Sequence, residues 1–150
     1  MRKHNVVAEV GLTYKSIAPP GGLPQITSPD LAYQLLLSIW DKDTIELHEH
    51  FVVLMLNNQK QCLGWSTISK GGSTSTVVDP RHIFQLALLA NSESLVLAHN
   101  HPGRALKAST ADIQLTKRIK QAGDLLGITV DDHLILTREG YLSLKSTGIL

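Results

Sequence analysis

Residues 94–112 read SLVLAHNHPGRALKASTAD, and the local structure they encode changes twice. Residues 94–98 are a short apolar run, the pattern of a strand covered on both faces. That strand delivers the chain into His99-Asn100-His101-Pro102-Gly103, where Pro-Gly ends regular structure. Ser109 then has the character of an N-cap. The spacing predicts a helix from there through about Leu126, with Ile113, Leu115, Ile119 and Leu125 among its apolar residues.

Outward from this stretch, residues 128–137 and 141–144 read as closing strands. Residues 51–56 (FVVLML) form a second continuous apolar run, residues 57–59 supply a turn, and residues 62–69 read as the returning strand of a hairpin. Ser28-Pro29 and Asp79-Pro80 each place a capping residue before a proline at the first helical position. The first of these helices runs to about Trp40 and buries Leu31, Leu35, Ile39 and Trp40. The second offers Ile83, Phe84, Leu86, Ala87 and Leu88 to the core. Residues 6–15 read as an opening strand, residues 18–22 break it, and residues 71–76 form a polar loop. The expected fold is α/β (α+β), a mixed central β-sheet with helices packed on it, in one domain spanning residues 1–150.

Hydrophobic residues make up 43% of the 150 and charged residues 18%, an ordinary globular balance. A net charge of +1 gives no global field that would draw the chain to nucleic acid or an anionic membrane. Cys62 is the only cysteine, which excludes an internal disulfide and an all-cysteine metal cage and suits a reducing cytoplasm. No signal-peptide core follows Met1-Arg2-Lys3-His4, and no apolar stretch is long enough to span a bilayer. The expectation is a cytoplasmic protein.

His99 and His101 flank one residue at the end of a buried strand. Residues at i and i+2 on an extended segment project to the same side, so both rings can face one point. Asp112, on the first turn of the following helix, can swing its carboxylate back toward that strand end. Two imidazoles and one carboxylate leave a fourth tetrahedral position for water, the ligand count of a catalytic zinc site. A plainer explanation covers part of the pattern, since Ser109-Thr110-Ala111-Asp112 is also a passable capping box. That box accounts for Ser109 and Asp112 and leaves the two histidines unexplained.

The spacing His99-x-His101, seven residues, Ser109-x-x-Asp112 resembles the JAMM (MPN-plus) metalloprotease motif. Its surroundings are more narrowly similar to RadC-like proteins of bacteria. The similarity takes in residues 49–54 (EHFVVL), Lys70-Gly71-Gly72, Asp79-Pro80 and residues 132–135 (DHLI), and so covers roughly the whole chain. The resemblance implies a JAMM/MPN (cytidine-deaminase-like) architecture, a zinc ion in a shallow groove, and hydrolysis of peptide or isopeptide bonds in a peptide or protein substrate. It assigns Glu49 as general base, with Glu46 the competing carboxylate, and gives Ser109 a share in stabilising the oxyanion. The chain departs from the RadC-like pattern at Gly103-Arg104-Ala105, where such loops usually read Ser-Gly-Asn, and at Ala108, where proline is usual. None of these is a ligand. The helix-hairpin-helix region that many RadC-like proteins carry at the N-terminus is not expected here. The alternative function is a DNA-associated binding module or a zinc hydrolase acting in DNA repair; near-neutral charge counts against nucleic acid as partner.

Other features read as scaffold. His48-Glu49-His50 lacks a third ligand at suitable spacing, and His133 in an apolar strand reads as a hydrogen-bonded structural histidine. Lys117, Arg118 and Lys120 read as the solvated face of the third helix, and Trp40 and Trp65 as core.

Overall fold

The computed structural model describes residues 7–71 and 77–150. In chain order its elements are α1 (Pro29–Ile39), β1 (His50–Leu56), β2 (Cys62–Lys70), α2 (Pro80–Leu89), β3 (Ser94–Asn100), α3 (Thr110–Leu126), β4 (Thr129–Leu136) and β5 (Tyr141–Ser143). The two strands built around apolar runs, β1 and β3, are buried along their whole length, their polar residues His50, Ser94, His99 and Asn100 included. They occupy the interior of one five-stranded sheet ordered β2-β1-β3-β4-β5. β1 is antiparallel to both β2 and β3, β3 and β4 run parallel, and β5 returns antiparallel to β4. A parallel pair needs a crossover, and α3 supplies it between β3 and β4.

Strand alternation divides the core in two. Val52, Leu54, Leu56, Val96 and Ala98 face α1, where they meet Ala32, Leu36 and Trp40. Phe51, Val53, Met55, Leu95 and Leu97 face the other way, onto Ile83, Phe84 and Ala87 of α2 and Ile119 of α3. The same period carries on past the apolar run. His99 continues the odd-numbered series toward α3, and Asn100 the even-numbered series toward the opposite layer.

Each helix begins where its capping chemistry dictates. The side chains of Ser28 and Asp79 accept from the amides of Leu31 and Arg81, with proline in the first turn of both helices. Ser109 and Asp112 form a reciprocal capping box, and Gly127 closes α3 in the left-handed conformation.

Several expectations need correcting. Residues 7–15 form no strand: Val7, Val10 and Leu12 are exposed, and a period-two pattern without a partner ladder has nothing to pair with. Residue 6 lies outside the described residues. The buried row of α1 is Ala32, Leu36 and Trp40, one position round from the expected face, so Leu31 is exposed and Leu35 and Ile39 are half-buried. Leu88 and Leu125 also face solvent, Leu125 at 88% exposure, because α2 and α3 present narrower apolar stripes than composition suggested. Trp65 is 48% exposed, since β2 is an edge strand whose residues are mostly half-buried. The polar loop at residues 71–76 lies outside the described residues except for Gly71. Among the described residues, no helix is long and apolar enough to cross a membrane.

Candidate metal centre

The C-terminal end of β3 and the first turn of α3 meet at one point. Nε2 of His99 lies 3.0 Å from Nε2 of His101 and 3.3 Å from Oδ1 of Asp112. Oδ2 of Asp112 is 3.5 Å from Nε2 of His101. Among the described residues this is the one group of three or more histidine, cysteine or carboxylate ligands whose donor atoms converge, all within 4.8 Å of one another. The second His-x-His pair forms no such group: His48 is exposed, while His50 is buried against the ring of Trp40.

Local contacts orient each ligand. His101 N–H continues the β3–β4 ladder by donating to Leu136 O at 3.0 Å. The chain then turns tightly, with Arg104 N donating to His101 O at 2.9 Å and Arg104 itself in the left-handed region at φ 64°. This turn brings the Ala105 carbonyl to 2.7 Å from Nδ1 of His101. A carbonyl only accepts, so Nδ1 carries hydrogen and a neutral His101 presents Nε2 as a lone pair. His99 is buried beneath Phe51, the two rings nearly parallel and 6.1 Å apart, and its Nδ1 is 2.7 Å from Nε2 of His133. His133 is itself fully buried and hydrogen-bonded, as a scaffold histidine should be.

Asp112 does two things at once. Oδ2 accepts from Ser109 N at 2.8 Å while Ser109 Oγ accepts from Asp112 N at 3.1 Å, so the capping box and the ligand cluster share one carboxylate. Burial alone would raise the Asp112 carboxyl; the neighbouring rings of His101 and His99 in their protonated forms, and the Ser109 amide, outweigh that and hold it well below the usual carboxylate range. His101 moves the opposite way, raised chiefly by its hydrogen bond to Asp112 against the effect of burial. With both rings neutral, two lone pairs and a carboxylate this close repel one another, so the cluster demands positive charge, as a proton on one ring or as a cation between them. A cation bound by all three satisfies that demand, so the residues present fit a metal ion.

The two candidate carboxylates part company. Glu46 is ion-paired with Arg104 at 2.9 Å and lies 3.8 Å from Arg138. Glu49 is half-buried, and burial pushes its carboxyl up, with Asp112 adding to the rise while His99 and His101 oppose it. Glu49 therefore lies in the electrostatic field of the cluster. Its backbone is pinned from both sides. Gly71 N donates to Glu49 O at 2.8 Å. Asn100 accepts from His50 N at 2.7 Å and donates to the carbonyls of Ile45 and His48 at 2.6 and 2.8 Å.

Sequence comparison points the same way as this geometry. Residues 26–149 match the model of the RadC-like JAB domain. The chain belongs to that family. Among its relatives is a UPF0758 protein of Rubrobacter xylanophilus, 41% identical over 136 residues, which are 90% of this chain and 58% of that one. A UPF0758 protein of Flavobacterium johnsoniae is 45% identical over 102 residues, 68% of this chain and 44% of the relative. One from Desulfitobacterium hafniense is 40% identical over 128 residues, 85% and 55% of the two chains. The RadC-like domain thus spans about half the length of the relatives it matches.

Two buried residues next to this RadC-like site were not singled out from sequence, Asn100 and Thr116. The signal for Asn100 was its place between the histidines, on the opposite strand face. Thr116 lies four residues after Asp112, hence on the same side of α3, and its hydroxyl donates to the Asp112 carbonyl at 2.7 Å.

Proposed function

We propose that this RadC-like domain is a zinc-dependent peptidase acting on peptide or isopeptide bonds of a peptide or protein substrate. His99, His101 and Asp112 would hold the zinc. When bound, zinc supplies a Lewis acid that polarises a carbonyl and makes a water acidic at neutral pH. The observation that carries the reading is the pairing of this three-acceptor cluster with Glu49, a half-buried carboxylate in the same field.

Each chain residue then has a definite task. Glu49, its proton affinity raised by burial, takes a proton from the attacking water and returns it to the leaving amine. Ser109 Oγ is an acceptor in the capping box, which leaves its own hydrogen to donate to a developing oxyanion. β2 is an edge strand, and the part of it beyond Leu63, past the contacts with residues 24–26 and Tyr14, can pair with an extended substrate backbone. Lone, buried Cys62 suits action in a reducing cytoplasm.

Metal analysis of purified protein should give about one zinc per chain, lost in His99→Ala. Glu49→Gln should keep the zinc and abolish cleavage of a peptide library that the wild type cuts, and a chelator should stop wild-type cleavage reversibly. Undiminished cleavage by Glu49→Gln would remove Glu49 from its role. A wild type that takes up no zinc would remove the metal.

A further inference from the structure

Three short contacts run from α3 through β4 to His99. Thr116 Oγ1 lies 2.7 Å from the carbonyl oxygen of Asp112 and 2.6 Å from Nδ1 of His133. Nε2 of His133 lies 2.7 Å from Nδ1 of His99. Thr116, His133 and His99 are all buried, at 1%, 0% and 2% exposure, so these groups must satisfy one another.

One arrangement of hydrogens serves all three contacts. The Asp112 carbonyl can only accept, so the hydroxyl hydrogen of Thr116 points to it. Thr116 Oγ1 then accepts, which places the hydrogen of His133 on Nδ1. His133 is fully buried and its two ring nitrogens face a hydroxyl and an imidazole, with no carboxylate there to hold a charge, so the ring is neutral and its Nε2 is a lone pair. That lone pair must receive N–H from Nδ1 of His99. A neutral His99 protonated there presents Nε2 as a lone pair, at the atom that faces His101 and Asp112. In the reverse sense, Thr116 donates to His133 and His133 to His99. Two lone pairs would then oppose each other at the Asp112 contact, and a hydrogen would occupy the His99 atom a metal needs.

We propose that Thr116 and His133 are positioning residues for the metal centre, fixing His99 in the tautomer whose Nε2 can bind a cation. This builds on His99, His101 and Asp112 as metal ligands. Ligating histidines are often oriented by a carboxylate or a carbonyl, groups that can only accept. His101 has such a partner in Ala105 O. His99 instead has another imidazole, which can donate or accept, so a third group has to set the direction.

The test combines nitrogen-15 NMR of the imidazoles in metal-free protein with zinc dissociation constants for wild type, Thr116→Val and Thr116→Ser. Wild type should show His99 protonated on Nδ1 and bare on Nε2. Thr116→Val, similar in volume but without the hydroxyl, should populate the reverse tautomer and bind zinc roughly tenfold or more weakly. Thr116→Ser keeps the hydroxyl and should restore both the spectrum and an affinity within about threefold of wild type. Hydrogen on Nε2 of His99 in the wild type overturns the proposal even if Thr116→Val fails to fold. Wild-type zinc affinity in a folded Thr116→Val overturns it and leaves the ligand assignment standing. A wild type that binds no zinc overturns both.

Discussion

Replacing Asn100 with aspartate changes one donor group and almost no volume, and its surroundings allow the cost to be worked out. The amide accepts once, from His50 N at 2.7 Å, and donates twice, to Ile45 O and His48 O at 2.6 and 2.8 Å. Aspartate keeps the acceptor. Its second oxygen, if ionised, faces two carbonyl oxygens at a fully buried position, which is an unpaired buried charge. If protonated, its single O–H serves one carbonyl and leaves the other bare, at about 1–3 kcal/mol for the orphaned group on top of the cost of holding a carboxyl neutral. The two routes converge on a loss of roughly 3–5 kcal/mol. For a chain of this size that corresponds to a fall in Tm of roughly 6–20 °C.

The same substitution divides the site by function. His99 and His101 are held by the ladders of β3 with β1 and β4, so zinc stoichiometry at saturating metal should survive Asn100→Asp. Residues 45–50 lose their pin, so Glu49 should drift and cleavage should fall further than zinc uptake. Calorimetry or urea melts of the metal-free protein give the first quantity, and metal content beside peptide cleavage gives the second. A stability loss below about 1 kcal/mol would show that the three bonds do not fix this segment. Equal loss of zinc and activity would show that Asn100 supports the ligands rather than Glu49.

Two further substitutions probe α3, at its start and at its end. Ser109→Ala should cost about 1 kcal/mol as a lost N-cap, whereas Ser109→Asn, an equally good cap, should melt close to wild type. Ser109→Ala should also lose about 10²–10³ in cleavage rate if the hydroxyl serves the oxyanion, and an undiminished rate would rule that out. Gly123→Ala would gain about 1 kcal/mol from helix propensity alone. A Cβ there would sit 2.3 Å from Ile128 O, so a net loss of roughly 1–3 kcal/mol is expected in urea melts, and any gain would mean the helix end yields freely.

What could be read from the sequence follows physical lines. Continuous apolar runs at residues 51–56 and 94–98 and capped prolines at 29 and 80 are local signals, and the strands and helices they announce are present. The ligand cluster was legible because His-x-His on a strand and Asp112 on the next helical turn are constrained by two local periods. Features that depend on a distant partner were not legible. Residues 7–15 have the composition of a strand and, among the described residues, join no backbone ladder, Tyr14 reaching Leu63 O only through its hydroxyl; Trp65 has the composition of core and lies on an edge. Asn100 and Thr116 were missed for the complementary reason. Each bonds to segments whose proximity only the sheet order creates, Asn100 to residues 45–50 and Thr116 to His133. Weighing Glu46 against Glu49 is likewise a tertiary question, since the contacts of Glu46 with Arg104 and Arg138 join segments far apart in sequence.

The loop after His101 is where this chain departs from the RadC-like pattern, at Gly103, Arg104, Ala105 and Ala108. Its contribution to the ligand cluster is nevertheless a main-chain one. The Ala105 carbonyl orients His101, and the turn that delivers it is closed by Arg104 N on His101 O. Any residue able to hold that backbone would serve, and Arg104 does so in a left-handed conformation that glycine or asparagine would occupy with less strain. Its guanidinium, paired with Glu46 at 2.9 Å, offsets that cost by tying the turn to the segment before β1. Residues 103–107 are exposed, and Arg104 and Lys107 make two of them basic. Variation here should shift which substrates are accepted while leaving metal affinity nearly constant, because the ligands are oriented by a carbonyl, a buried histidine and a helix cap.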